Sequence, residues 1–150
     1  MEEKIKDLLD YNYQMNQKLI QLFIENDSKT DARTTSLLNH ILNAQQVWNS
    51  RILGQNPFGV WQINPTNQLK DINQNVYETS LEIIQNISLD NIIHYKNTQG
   101  KHFSNSVCDI LLHIVNHATY HRGQIATAFR VQGIEPLVTD YIFHRREELL

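Results

Sequence analysis

The chain has 150 residues, 41% of them hydrophobic, and 13 Lys and Arg against 16 Asp and Glu give a formal net charge of −3. That length suits one domain over 1–150. The charge excludes nucleic acid as the main partner, because the nearest basic run, HRRE at 144–147, is cut off by Glu147 and Glu148.

The single cysteine, Cys108, rules out an internal disulfide and any CxxC motif. The N-terminal MEEKIKDLLDYN is charged and lacks the apolar core of a signal peptide. No apolar run approaches the roughly 20 residues of a membrane span. The expectation is a cytoplasmic protein without membrane contact.

Helical spacing of apolar residues predicts four long helices. In the first, about Lys4 to Glu25, the stripe is Ile5, Leu8, Asn12, Met15, Leu19 and Leu22, with Asn12 its polar member. The second follows the cap candidate Asp31 and ends at Gly54; Leu37, His40, Ile41, Ala44, Val47, Trp48 and Ile52 share its face. The loop GQNPFGVWQINPT carries Phe58, Val60 and Trp61, too apolar for a free linker, so it is expected to pack back over the helices at a pocket mouth or a dimer contact.

The third helix is expected from about Asn67 to Asn86, with Leu69, Ile72, Val76, Leu81 and Ile83 as its apolar residues. The period then changes. NIIHYKNTQGKHFSNS reads as two short strands around Gln99-Gly100, a β-hairpin. The fourth helix starts after a cap within Ser104–Ser106 and runs to about Gln132, with Gly133 as its stop. Past Pro136 a short helix is expected over Asp140 to Glu148. Four long helices with one interrupting hairpin make the fold class all-α, a four-helix bundle with a small β-hairpin before the fourth long helix and a short C-terminal helix.

The fourth helix carries HIVNHATYHRGQ, His113 to Gln124, with histidines four residues apart. At roughly 100° per residue, Val107, Ile110, Ile114, His121, Ile125 and Ala128 share a core arc with His117 at its edge. His113 and Gln124 fall just outside that arc, Tyr120 is turned aside, Cys108 lies opposite, and Arg122 points away, which predicts a surface ion pair. Mid-helix Gly123 suggests a close helix approach.

An i,i+4 histidine pair on one face can bind a divalent ion, as in the HExxH zinc helix, but the glutamate that activates water there is missing here. A catalytic metal site usually takes three protein ligands and keeps an open position. His40, the only histidine in the first three helices, sits in an apolar stripe and would be the third if helices two and four face each other. Spacing alone leaves open the alternative that these are hydrogen-bonded core histidines. Gln124 could hold the outer nitrogen of a ligating imidazole. His113 reads as a residue beside the ligands, Tyr120 as a proton-donor candidate, and Asn12 as a pocket group or a polar residue fixing helix register. His94, His102 and His144 read as surface histidines.

The stretch DILLHIVNHATYHRGQIATAFR (109–130) resembles the last bundle helix of the DinB/YfiT-like superfamily. YNYQMN (11–16) resembles that family's first-helix motif, with Gln14 where an aromatic is common. LLNHILNAQQVW (37–48) resembles its second helix, NTQGKHFSNS (97–106) its hairpin and PLVTDYIFHRRE (136–147) its tail. The resemblance implies an antiparallel four-helix bundle, often a homodimer, with a divalent metal, commonly zinc or nickel, on His40, His117 and His121. It also implies a small-molecule substrate. Relatives include transferases that use low-molecular-weight thiols and metal-dependent hydrolases. A bound metal can supply a hydroxide from water or a thiolate from a thiol. Thiolate transfer needs no protein base to activate water, so the missing glutamate favours a thiol-dependent S-transferase. The alternatives are a metal-dependent hydrolase and a non-catalytic metal-binding structural or stress-response module.

Overall fold

A computed structural model describes residues 1–146. It is mostly helical, with one two-stranded antiparallel sheet. The elements run α1 (Glu2–Glu25), α2 (Ala32–Leu53), α3 (Leu69–Asn86), β1 (Ile92–Lys96), β2 (His102–Ser106), α4 (Val107–Val131) and α5 (Tyr141–Arg145), with single 3-10 turns at Asp27–Lys29 and Thr66–Gln68. Helix α3 starts at Leu69 rather than near Asn67, because the chain after Pro65 winds first as a 3-10 turn. Helix α5 covers part of the expected C-terminal helix, whose last expected residues, Glu147 and Glu148, lie outside the described residues. Among the described residues, no helix is long and apolar enough to cross a membrane.

Local chemistry sets the boundaries. Asp31 caps α2, its Oδ1 accepting from the Thr34 amide at 2.8 Å and from the Thr34 hydroxyl at 2.6 Å. At the other end Gly54 takes φ 67°, which lets the Gln55 amide donate back to the Ser50 carbonyl at 2.9 Å. The hairpin pairs Ile92 with Ser106 through Lys96 with His102. Its turn closes on Asn97, whose Oδ1 accepts from the amides of Gln99 and Lys101, with Gly100 at φ 77°. Ser106 ends β2 and caps α4, accepting from the Asp109 amide at 3.0 Å.

Helix α1 packs on α3 and α4, and α2 packs on the same two. Two apolar clusters fill the interior. One gathers Ile5, Leu9, Met15, Ile52, Ile83, Ile110 and Ile114; the other gathers Leu19, Ile20, Phe23, Leu38, Leu42, Ile125 and Phe129. On each helix, buried polar residues fall along the chain at the boundary between these clusters or next to it: Asn12 and Asn16, Gln45 and Asn49, Asn73 and Ser80, and Arg122.

This polar layer corrects the sequence expectation for Arg122. The side chain is 3% exposed, and its guanidinium donates to Asn12 Oδ1 at 2.7 Å and Asn16 Oδ1 at 2.9 Å. The single-arc rule fails here because α1 reaches over the flank of α4 and buries a wider sector than one stripe. The network continues from Asn12 to Gln45, from Gln45 to Ser80 and from Ser80 to Asn49. Gly123 does not mark a close approach: a Cβ built there meets nothing within 4 Å. His144 is not a free surface residue either. Its ring packs 5.6 Å from Tyr11 and lies 3.6 Å from Asp10, while neighbouring Arg145 pairs with Asp7 at 2.8 Å. The tail is tied down further by Tyr141, whose hydroxyl donates to Asp7, and by Tyr11, whose hydroxyl donates to the Thr139 carbonyl.

Candidate metal centre

The packing of α2 on α4 brings His40 of α2 against His117 and His121 of α4. Nε2 of His117 lies 3.0 Å from Nε2 of His40 and 3.1 Å from Nε2 of His121. His40 is 8% exposed, His121 9%, and His117 half-buried.

The outer nitrogens decide how this cluster can be satisfied. His40 Nδ1 lies 3.2 Å from the Val60 carbonyl oxygen, which can only accept, so the proton sits on Nδ1. Gln124 Oε1 accepts from His121 Nδ1 at 2.7 Å and fixes the same tautomer there. In a neutral ring, each of these Nε2 atoms then presents a lone pair. His117 Nε2 carries at most one proton and can satisfy one of the two. The remaining approach sets lone pair against lone pair, which is unfavourable without a cation between them. Zinc–imidazole bonds in a tetrahedral site put ligand nitrogens roughly 3.3 Å apart, close to the spacing seen here.

Protonation of His117 and of His40 is disfavoured. Burial, with the neighbouring His121, His40 and His113, pushes His117 down to about 3. Burial likewise lowers His40, against the opposing pull of the Val60 carbonyl. His117 and His40 are therefore held toward the neutral form, the form a metal requires.

The loop after α2 completes one wall. Asn43 donates to the carbonyls of Val60 and Gln62, Gln46 accepts from the Phe58 amide, and Asn64 donates to Asn39 and Asn43. These bonds hold Trp61 flat on His40, ring centroids 3.9 Å apart and 8° from parallel, with the indole still 57% exposed. The loop thus packs back at the mouth of the cluster, as its apolar residues predict.

Other sequence candidates fall around the trio. His113 is exposed, its ring 5.5 Å from His117 and 5.2 Å from Trp48. Tyr120 is 65% exposed with its ring 5.1 Å from His121, on the rim. Asn12 is engaged with Gln45 and Arg122 in the polar layer, not with a histidine. His94 and His102 are exposed on the hairpin. No carboxylate joins the three-histidine group among the described residues. Sequence reasoning missed the Val60 carbonyl and the stacking role of Trp61; the apolar loop composition was the available signal for the second, and nothing marks a backbone carbonyl in advance.

A family model described as the DinB family matches residues 1–148. The chain is also 35% identical over 57 residues to Protein DinB of Bacillus subtilis (strain 168). That match covers 38% of this chain and 33% of the relative, so it spans about a third of the curated protein's length.

Proposed function

Since the chain belongs to the DinB family, we propose that it is a divalent-metal protein whose His40, His117 and His121 hold zinc or nickel and whose activity is the transfer of a low-molecular-weight thiol to a small electrophile. The observation that carries the metal assignment is the convergence of three Nε2 atoms, two of them fixed as lone pairs by bonds on their outer nitrogens. Imidazole donors suit zinc and nickel. A divalent ion held there would favour the thiolate form of a coordinated thiol.

The chain's own residues do the rest. Val60 and Gln124 orient His40 and His121, as the outer partners of metal-bound imidazoles commonly do. Trp61 fixes the plane of the His40 ring. The site is reachable, with half-buried His117 flanked by exposed His113, Tyr120 and Trp61. No carboxylate joins the cluster among the described residues to assist as a base in hydrolysis, whereas thiol transfer calls for none, and this supports the thiol reading.

The scaffold we propose is a single domain over 1–150, an antiparallel four-helix bundle. In its support, one apolar cluster takes the early residues of α1 and α4 with the late residues of α2 and α3. By that order α1 and α3 oppose each other, as do α2 and α4, and the 54–65 loop is a crossover connection. Exposed Val131, Val138, Ile142 and Phe143 support a homodimer, which light scattering on the purified protein would test.

The functional test is a steady-state assay with a panel of small thiols and a chlorinated aromatic or epoxide. Metal-dependent turnover, lost in His121→Ala, is expected. A metal-loaded protein inactive across the panel contradicts thiol transfer. Ester or phosphate turnover would then favour the hydrolase reading, and no turnover of any kind a structural metal.

A further inference from the structure

Arg51 lies on α2 three turns beyond His40, on a similar side of the helix and roughly 16 Å further along its axis. Its guanidinium carbon is 4.3 Å from the centre of the Trp48 ring and 4.9 Å from that of Tyr95 on β1. Those two rings meet edge to face at 5.1 Å. A row of side chains links this cation to the metal-binding trio: His117 lies 5.5 Å from His113, and His113 lies 5.2 Å from Trp48.

Arg51 is held between two aromatic rings rather than by an anion. Arg145 and Lys4 share Asp7, and Lys6 is met by Glu2 and Glu3, whereas no carboxylate pairs with Arg51 among the described residues. Stacking on two rings accounts for the pose of the guanidinium. It uses the faces of that group and leaves N–H donors at its edge, arranged in a fork that matches a carboxylate. The charge is also partly desolvated, since burial lowers the Arg51 pKa from its usual value. Partial desolvation strengthens a pairing with an incoming anion relative to one in bulk water.

We propose that Arg51 is a specificity-determining residue that binds a carboxylate on the same small molecule whose sulfur reaches the three histidines, with Trp48, Tyr95 and His113 lining the path between. The inference rests on the thiol reading of the centre and narrows its substrate class to anionic thiols. Allowing for the reach of the arginine side chain, sulfur and carboxylate are separated by on the order of 10 Å. A thiol shorter than this cannot use both ends.

The test uses the full chain loaded with cobalt, whose sulfur-to-metal absorption reports thiol binding directly and needs no turnover. ω-Mercaptooctanoate and ω-mercaptooctanol are titrated into the wild type, Arg51→Gln and Arg51→Lys, with melting curves to establish that each variant is folded. In the wild type the carboxylate is expected to bind at least about tenfold tighter than the alcohol, the scale of one charge-assisted contact. That ratio should fall to within about twofold in R51Q and recover in part in R51K. Mercaptoacetate should show no comparable advantage over mercaptoethanol.

Equal binding of the two long thiols to the wild type overturns the inference while leaving the metal–thiol centre standing, and it does so whether or not the variants fold. An advantage that survives in R51Q also overturns it, by placing the carboxylate elsewhere. A protein that takes up no cobalt, or shows no sulfur-to-metal band with any thiol, overturns the centre and the inference together.

Discussion

At the scale of single residues, the outer nitrogens of the histidines matter as much as the inner ones. Gln124 holds His121 at 2.7 Å without entering the cluster itself. Gln124→Ala should weaken metal affinity about 10- to 100-fold, measured by competition with a chromophoric chelator; an unchanged affinity would remove Gln124 from the centre. His117 gives a second prediction, for the metal-free protein. Its pKa is about 3 when folded, against an ordinary value of 6.5. Between those values the unfolded chain binds more protons at this group than the folded one, so stability rises with pH. The melting temperature of the metal-free protein should therefore fall as pH drops from about 6.5 toward 3, and His117→Gln should show a shallower fall. Identical slopes in the two proteins would contradict this protonation behaviour.

At the scale of elements, the polar layer joins the helices and the loop after α2 sets the face of the site. Arg122 joins α4 to α1 through the carbonyl oxygens of Asn12 and Asn16. Arg122→Met leaves both acceptors buried without their charged donor and should cost about 2–4 kcal/mol of stability in urea unfolding. A change below about 0.5 kcal/mol, the usual scale of a surface substitution, would contradict the buried role. Trp61 lies directly on His40, so nickel should quench tryptophan emission, and most of that quench should disappear in Trp61→Phe and persist in Trp48→Phe. The helices were legible because apolar periodicity, the Asp31 cap and Gly54 all mark the same boundaries on α2. The hairpin was legible from Gln99-Gly100 and the change of period. Arg122 was not, since angular position on one helix says nothing of how far a neighbour wraps over it. Nor was the seat of the His40 tautomer, a backbone carbonyl twenty residues away whose position depends on Asn43 holding the loop.

At the scale of the whole molecule, two apolar clusters flank a buried layer of amides and one arginine, and the three histidines join α2 to α4 beside it. His40 and His117 are 77 positions apart in the chain, so the meeting of His40 with the α4 pair was legible only as a consequence of the helices packing, helped by the family resemblance. A metal that binds the folded chain alone should stabilise it by about 2.7 kcal/mol at a free concentration one hundred times its dissociation constant, seen as a higher melting temperature that chelation reverses. The central claim is that the three histidines are ligands. It is tested most directly by elemental analysis of untagged protein purified without chelators, beside His117→Ala. About one zinc or nickel per chain, absent from the variant, is the expected result. A wild type that holds no metal and takes up none on addition would contradict it, and would leave His40, His117 and His121 as hydrogen-bonded core residues.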